Sequence, residues 1–146
     1  MIRVIVGPPC AGKSTHVRNN AKTGDLIIDY DVIAQAFGSA NSHDSSGLIR
    51  SAALQARSAA IDTALESEAD SWVIHTNPKT DLIDRYSEAG AEFTTIDPTQ
   101  AECLARAETD ERPAFTVDVI NNWYENKPVL PEPRGQIMNT KEFLTS

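Results

Sequence analysis

The chain has 146 residues, 40% of them hydrophobic, a formal net charge of −8 and two cysteines. That length supports one core and is short for two ordinary domains. The composition argues against a membrane span, which needs roughly 20 apolar residues in a row, against a disulfide framework or paired-cysteine metal site, and against a broad basic surface for duplex nucleic acid. The expected setting is soluble and cytoplasmic, with no leader segment at the start, and the acidic balance still leaves room for a small basic cleft holding one nucleotide or one chain end.

Ile2 to Val6 is an apolar run closed by Gly7, which predicts a buried parallel strand. Gly7-Pro8-Pro9-Cys10-Ala11-Gly12-Lys13-Ser14 follows it, with the spacing G-x-x-x-x-G-K-[ST], and Ser14 to about Asn20 reads as the first helix. Leu26 to Ile28 predicts a second strand ending in Asp29-Tyr30-Asp31; Val32 to Phe37 predicts a short helix stopped by Gly38. A polar loop, Ser39 to Ser46, contains His43-Asp44, and Gly47 to about Glu68 has clear helical periodicity. Trp72 to Ile74 predicts strand three, Thr80 to Glu88 a helix and Phe93 to Ile96 strand four. Helices over Thr99 to Ala107 and Thr116 to Glu125 bracket a charged stretch, and the proline-rich end reads as an extended tail. Alternating strands and helices predict an α/β fold with a parallel sheet covered on both faces. The expected organisation is one domain over residues 1–127, a lid at about 106–115 and a tail over 128–146.

A glycine-rich turn between a strand and a helix aims backbone N–H groups at one phosphate chain, with the helix N-terminus adding positive potential. In that geometry Lys13 reaches the β and γ phosphates, and the Ser14 hydroxyl is placed on magnesium. The donor site is therefore expected over Gly7, Pro8, Pro9, Cys10, Ala11, Gly12, Lys13, Ser14 and Thr15, with Cys10 read as a tolerated small residue.

Ligands of open parallel sheets sit beyond the carboxyl ends of the strands, which gathers Asp29, Asp31, His75, Thr76, Asn77 and Asp97 near the loop. Two carboxylates two positions apart on an extended end face the same way. One then supports magnesium while the other accepts a hydroxyl proton; the plainer alternative has Asp31 only capping the next helix. Strand three ends in His75-Thr76-Asn77 and supplies no acidic residue, so metal support falls to Asp29 or mainly to Ser14, phosphate and water. His75 reads as structural. Arg50 and Arg57 share one face of the long helix and suit an acceptor phosphate or carboxylate, or else form a solvated face. Arg106 and Arg112 flank the lid, where a guanidinium stabilises transferred charge or stacks on a base. Asn126-Lys127-Pro128-Val129 lacks the aspartate of a guanine-reading N-K-x-D pattern, so GTP preference is not supported.

On Gly7 to Thr15, Asp29-Tyr30-Asp31, Thr76-Asn77 and Arg106 to Arg112, the chain resembles small P-loop kinases, in particular the compact AAA_33-like ATP-binding proteins that bacteriophages encode. The resemblance covers roughly the first 115 residues. It implies a three-layer P-loop fold with four or five parallel strands in the order 2-3-1-4(-5). It also implies parallels with polynucleotide 5′-kinases, in which an aspartate after strand two is the base, and with shikimate kinases, in which a D-x-D divides metal and substrate duties. The expected activity is an ATP- and magnesium-dependent transfer of the γ-phosphoryl group to a nucleoside, nucleotide or nucleic-acid acceptor; the competing expectation is an ATP-binding accessory protein. Lys13, Asp31, Arg106 and Arg112 are the expected catalytic residues, Ser14 and Asp29 the metal ligands, and Asp31, Arg50, Arg57 and Thr76 the acceptor contacts.

Overall fold

The computed structural model describes residues 1–40 and 47–131. His43-Asp44 and the tail from residue 132 lie outside the described residues. Ten elements follow in order: β1 (Ile2–Val6), α1 (Lys13–Asn20), β2 (Leu26–Ile28), α2 (Tyr30–Ala36), α3 (Gly47–Leu65), β3 (Ser71–His75), α4 (Thr80–Glu88), β4 (Glu92–Thr95), α5 (Gln100–Thr109) and α6 (Phe115–Glu125). The four strands form an all-parallel sheet in the order β2-β3-β1-β4, a three-layer α/β arrangement. No fifth strand joins it among the described residues. Among them, too, no helix is long and apolar enough to cross a membrane.

The central strands β1 and β3 are covered on both faces, which is why they read as almost unbroken apolar runs. Alternation along them separates two clusters. Val4, Val6, Ile28 and Val73 pack with Ile61 and Ala64 of α3 and Tyr86 of α4, while Ile5, Trp72 and Ile74 pack with Val17 of α1. Large side chains buried this fully contribute roughly 1.5–3 kcal/mol each. A third cluster, Ala11, Cys103, Ala107 and Ile120, seats α5 and α6 against the glycine-rich loop. The edge strand β2 buries only Ile28 and leaves Leu26 and Ile27 exposed.

Register then positions the site. Val6 pairs with His75 and Ile5 with Ile74, so Gly7 and Thr76 leave the sheet side by side. Gly7 also passes so close to β4 that a Cβ on it would lie 2.2 Å from the Ile96 carbonyl oxygen.

Two local expectations need correction. The helix after β2 begins at Tyr30 rather than Val32, so Asp31 stands in its first turn and not on an extended end. The cap is Asp29, not Asp31: its carboxylate accepts the Asp31 N–H at 3.0 Å, which starts the helix earlier. The charged stretch begins as the last residues of α5 and continues as a tight turn in which Glu111 takes a left-handed φ of 51° and the Arg112 N–H returns to the Ala107 carbonyl at 3.0 Å.

Candidate active site

The glycine-rich loop turns into α1 through Gly12, whose φ of 97° is left-handed and readily adopted only by glycine. Cys10 also sits at a positive φ, 66°. Burial pushes its thiol above the usual range, with the Arg112 charge opposing, so it is held as a thiol and not as a reactive thiolate. Gly12 has no side chain to cap the helix, and the first helical bond is His16 N–H to the Gly12 carbonyl at 2.9 Å. The N–H groups of Lys13, Ser14 and Thr15 precede that bond and have no intrahelical partner. Together with the helix dipole they form an anion-binding end.

Lys13 lies over this loop. Its ammonium donates to the Gly7 carbonyl, to the Pro8 carbonyl at 3.3 Å and to Thr76 Oγ1 at 3.0 Å. Burial lowers its pKa to about 8, with the carboxylates of Asp31 and Asp29 acting in the opposite sense. It therefore remains mostly protonated at neutral pH.

Ser14 Oγ donates to Asp29 Oδ2 at 2.9 Å, and the second oxygen of Asp29 is the helix cap. The carboxylate is buried, and both its oxygens have assigned donors. Asp31 lines the same cleft. Among the described residues no group of three or more His, Cys, Asp or Glu side chains gathers as a metal cage. A hydroxyl beside one carboxylate instead fits a hard cation that keeps several waters and completes its shell with phosphate, the behaviour of magnesium and not of zinc.

The cleft measures about 1320 Å³ and is open. One wall carries Tyr30, Asp31, Arg50 and Arg57; the Arg57 guanidinium lies 6.0 Å from the Tyr30 ring centre. The end of α5 and the turn after it contribute Arg106, Asp110 and Arg112. Arg106 donates to the Cys10 carbonyl at 3.0 Å, tying α5 to the loop, and Arg112 has a buried Nε without a hydrogen-bond partner. Six of the 13 lysines and arginines line this cleft (Lys13, Arg18, Arg50, Arg57, Arg106 and Arg112), against three aspartates. A protein acidic overall thus carries one concentrated basic cleft.

Other candidates play other parts, although His75 and Asn77 also border the cleft. His75 is buried on the α4 side of β3, where its Nε2 shares a hydrogen bond of 2.7 Å with the Tyr86 hydroxyl. Burial holds its pKa down to about 3, with Arg57 and Lys13 adding repulsion. Asp97 does not line the cleft and pairs with Lys127 at 3.0 Å. Thr76 does line it, with its hydroxyl on Lys13.

Reading the sequence misses Phe115 and Val119, exposed apolar residues four apart on α6 that also line the cleft. Their spacing places them on one flank of the helix beside the buried Thr116, Ile120 and Trp123. The only signal in the sequence is an apolar stripe wider than the core requires. Arg18 of α1 lines the cleft as well.

No protein-family model and no curated protein sequence matches the chain. Among solved structures it is similar to a chain of the Pnkp1/Rnl/Hen1 RNA repair complex, with a TM-score of 0.65 and 18% identity, over 95% of this chain and 50% of that one. This chain spans about half the length of its structural neighbour. At that identity the likeness establishes a shared fold alone, the parallel α/β arrangement.

Proposed function

We propose that this chain is an ATP-dependent phosphotransferase whose acceptor is a hydroxyl on a nucleotide or at a nucleic-acid end. The observation that carries the reading is the bond of 2.9 Å from Ser14 to Asp29, beside Lys13, with Asp31 two residues on in the same cleft. A site that only held a triphosphate would not need a second carboxylate facing the phosphates. The RNA repair context of the structural neighbour favours a nucleic-acid acceptor.

The loop N–H groups and Lys13 hold the donor phosphates, and Ser14 with Asp29 would hold magnesium, which when bound neutralises charge on the phosphate oxygens. Asp31 takes the proton from the acceptor hydroxyl as its oxygen bonds to the γ-phosphorus; the bond from that phosphorus to the bridging oxygen breaks, and the electron pair leaves with ADP. Arg106 and Arg112 stabilise charge on the transferring group. Arg50 and Arg57 bind acceptor phosphate, and Phe115 and Val119 offer apolar contact to a base.

The test is transfer of label from γ-labelled ATP, with magnesium, to nucleosides, nucleoside monophosphates and 5′-hydroxyl RNA and DNA oligonucleotides. Label is expected on a nucleotide or oligonucleotide, and Lys13→Ala should abolish both binding and transfer. Tight ATP binding with label in no acceptor would reject the phosphotransferase and leave an ATP-binding accessory protein.

A further inference from the structure

Helix α6 reaches the glycine-rich loop through Trp123, a residue outside the expected site. Trp123 is buried, and its indole Nε1–H donates to the Thr76 carbonyl at 2.8 Å. Thr76 is the first residue beyond β3, and its own hydroxyl accepts from Lys13 Nζ at 3.0 Å. One residue thus accepts from both sides, through its carbonyl from α6 and through its hydroxyl from the loop lysine. Beyond the Gly7 N–H bond to the His75 carbonyl at 3.2 Å, strand pairing gives the Thr76 carbonyl no restraint. The indole bond supplies that restraint.

The donor end of the chain is itself well anchored. The Tyr124 hydroxyl donates to the Pro98 carbonyl. Gln100 Nε2 donates to Asn121 Oδ1 at 2.7 Å, and Lys127 lies 5.7 Å from the Trp123 ring centre while paired with Asp97. The carboxyl half of α6 is therefore clamped to the segment after β4. A rigid indole on a clamped helix is a suitable fixed point, because an off-target shift of even 1 Å in a catalytic group lowers its effectiveness steeply.

We propose that Trp123 is a positioning residue for Lys13: by fixing the Thr76 peptide it sets, through the Thr76 hydroxyl, where the ammonium stands when phosphates enter the loop. The inference rests on the reading of Lys13 as a phosphate contact, and it concerns binding alone, so it is tested without an acceptor. Calorimetric titration with magnesium-ATP should show Trp123→Phe, which keeps a ring and removes the N–H, binding about tenfold more weakly. Trp72→Phe removes the other indole hydrogen bond, to Asp25 just before β2 at the amino end of the sheet, and should bind like the unaltered chain. Thr76→Ala should weaken binding similarly, and adding Trp123→Phe to it should cost little more, since residues acting through one another are not additive.

A second measurement uses the unaltered protein. The chain has two tryptophans, and Trp72 donates instead to Asp25 at 2.9 Å. Magnesium triphosphate, which has no ring to disturb the spectrum, should shift the Trp123 indole N–H resonance and leave that of Trp72 in place. If the protein binds neither ATP nor triphosphate, the phosphate-site reading itself fails. If it binds them while the Trp123 resonance stays still, or while Trp123→Phe binds as well as the unaltered chain, the positioning role is overturned and the phosphate site stands.

Discussion

Asp31 and Asp29 are separated by one residue and stand in different settings, which the proposed reaction would use differently. Asp29 has one oxygen on Ser14 and the other on the α2 backbone, a fixed group suited to support. Asp31 follows in the first turn of α2 and borders the open cleft, where an acceptor hydroxyl can reach it. Asp31→Asn should therefore leave the ATP dissociation constant unchanged and slow single-turnover transfer about 100-fold or more. An unaltered rate would remove the base assignment. Gly7 is constrained by space and not by dihedral angle: a Cβ there would meet the Ile96 carbonyl oxygen at 2.2 Å, backbone that cannot swing aside. Gly7→Ala should lower unfolding free energy by about 3 kcal/mol in urea titration, and ATP binding should weaken with it.

At the level of elements, β3 and α4 are joined by His75 and Tyr86, a buried polar pair inside the apolar face. The histidine titrates near 3 in the folded protein against an ordinary value of 6.5, because burial penalises its charge. Between those values the unfolded chain binds the extra proton, so stability rises with pH there and is lost as pH falls through that window. Unfolding free energy should drop by about 2 kcal/mol between pH 7.5 and pH 5. His75→Gln should flatten that slope; an unchanged slope in the variant would place the titration elsewhere. The opposite face of the sheet carries the loop helix α1, and α5 and α6 close over the loop through Ala11, Cys103 and Ile120. Both faces contribute to the cleft, α3 through Arg50 and Arg57 and the opposite face through α1 and the loop.

The whole molecule combines a net charge of −8 with a cleft lined by six cationic side chains. Field lines concentrate in such a cleft and weaken outside it. A nucleic-acid acceptor should therefore be held by its terminal nucleotides alone. Lengthening a 5′-hydroxyl oligonucleotide from about 4 to about 20 nucleotides should change KM by less than about threefold, with a shallow salt dependence reflecting about two or three held phosphates. A steep gain with length would instead reveal a longer binding track.

The sequence by itself determined the parallel α/β class and the sites of its strands, because the central strands β1 and β3, buried on both faces, are apolar runs, and helical segments alternate with the strands. It also determined the loop, since Gly7, Gly12, Lys13 and Ser14 combine backbone geometry and chemistry in one short segment. Only the tertiary structure decided that Asp29 is both cap and Ser14 partner, that Asp97 turns away to Lys127, and that Phe115, Val119 and Arg18 border the cleft. These outcomes depend on register between β1 and β3 and on how α6 lies across the loop. Such relations join residues far apart in the chain, so no local pattern of residue types records them.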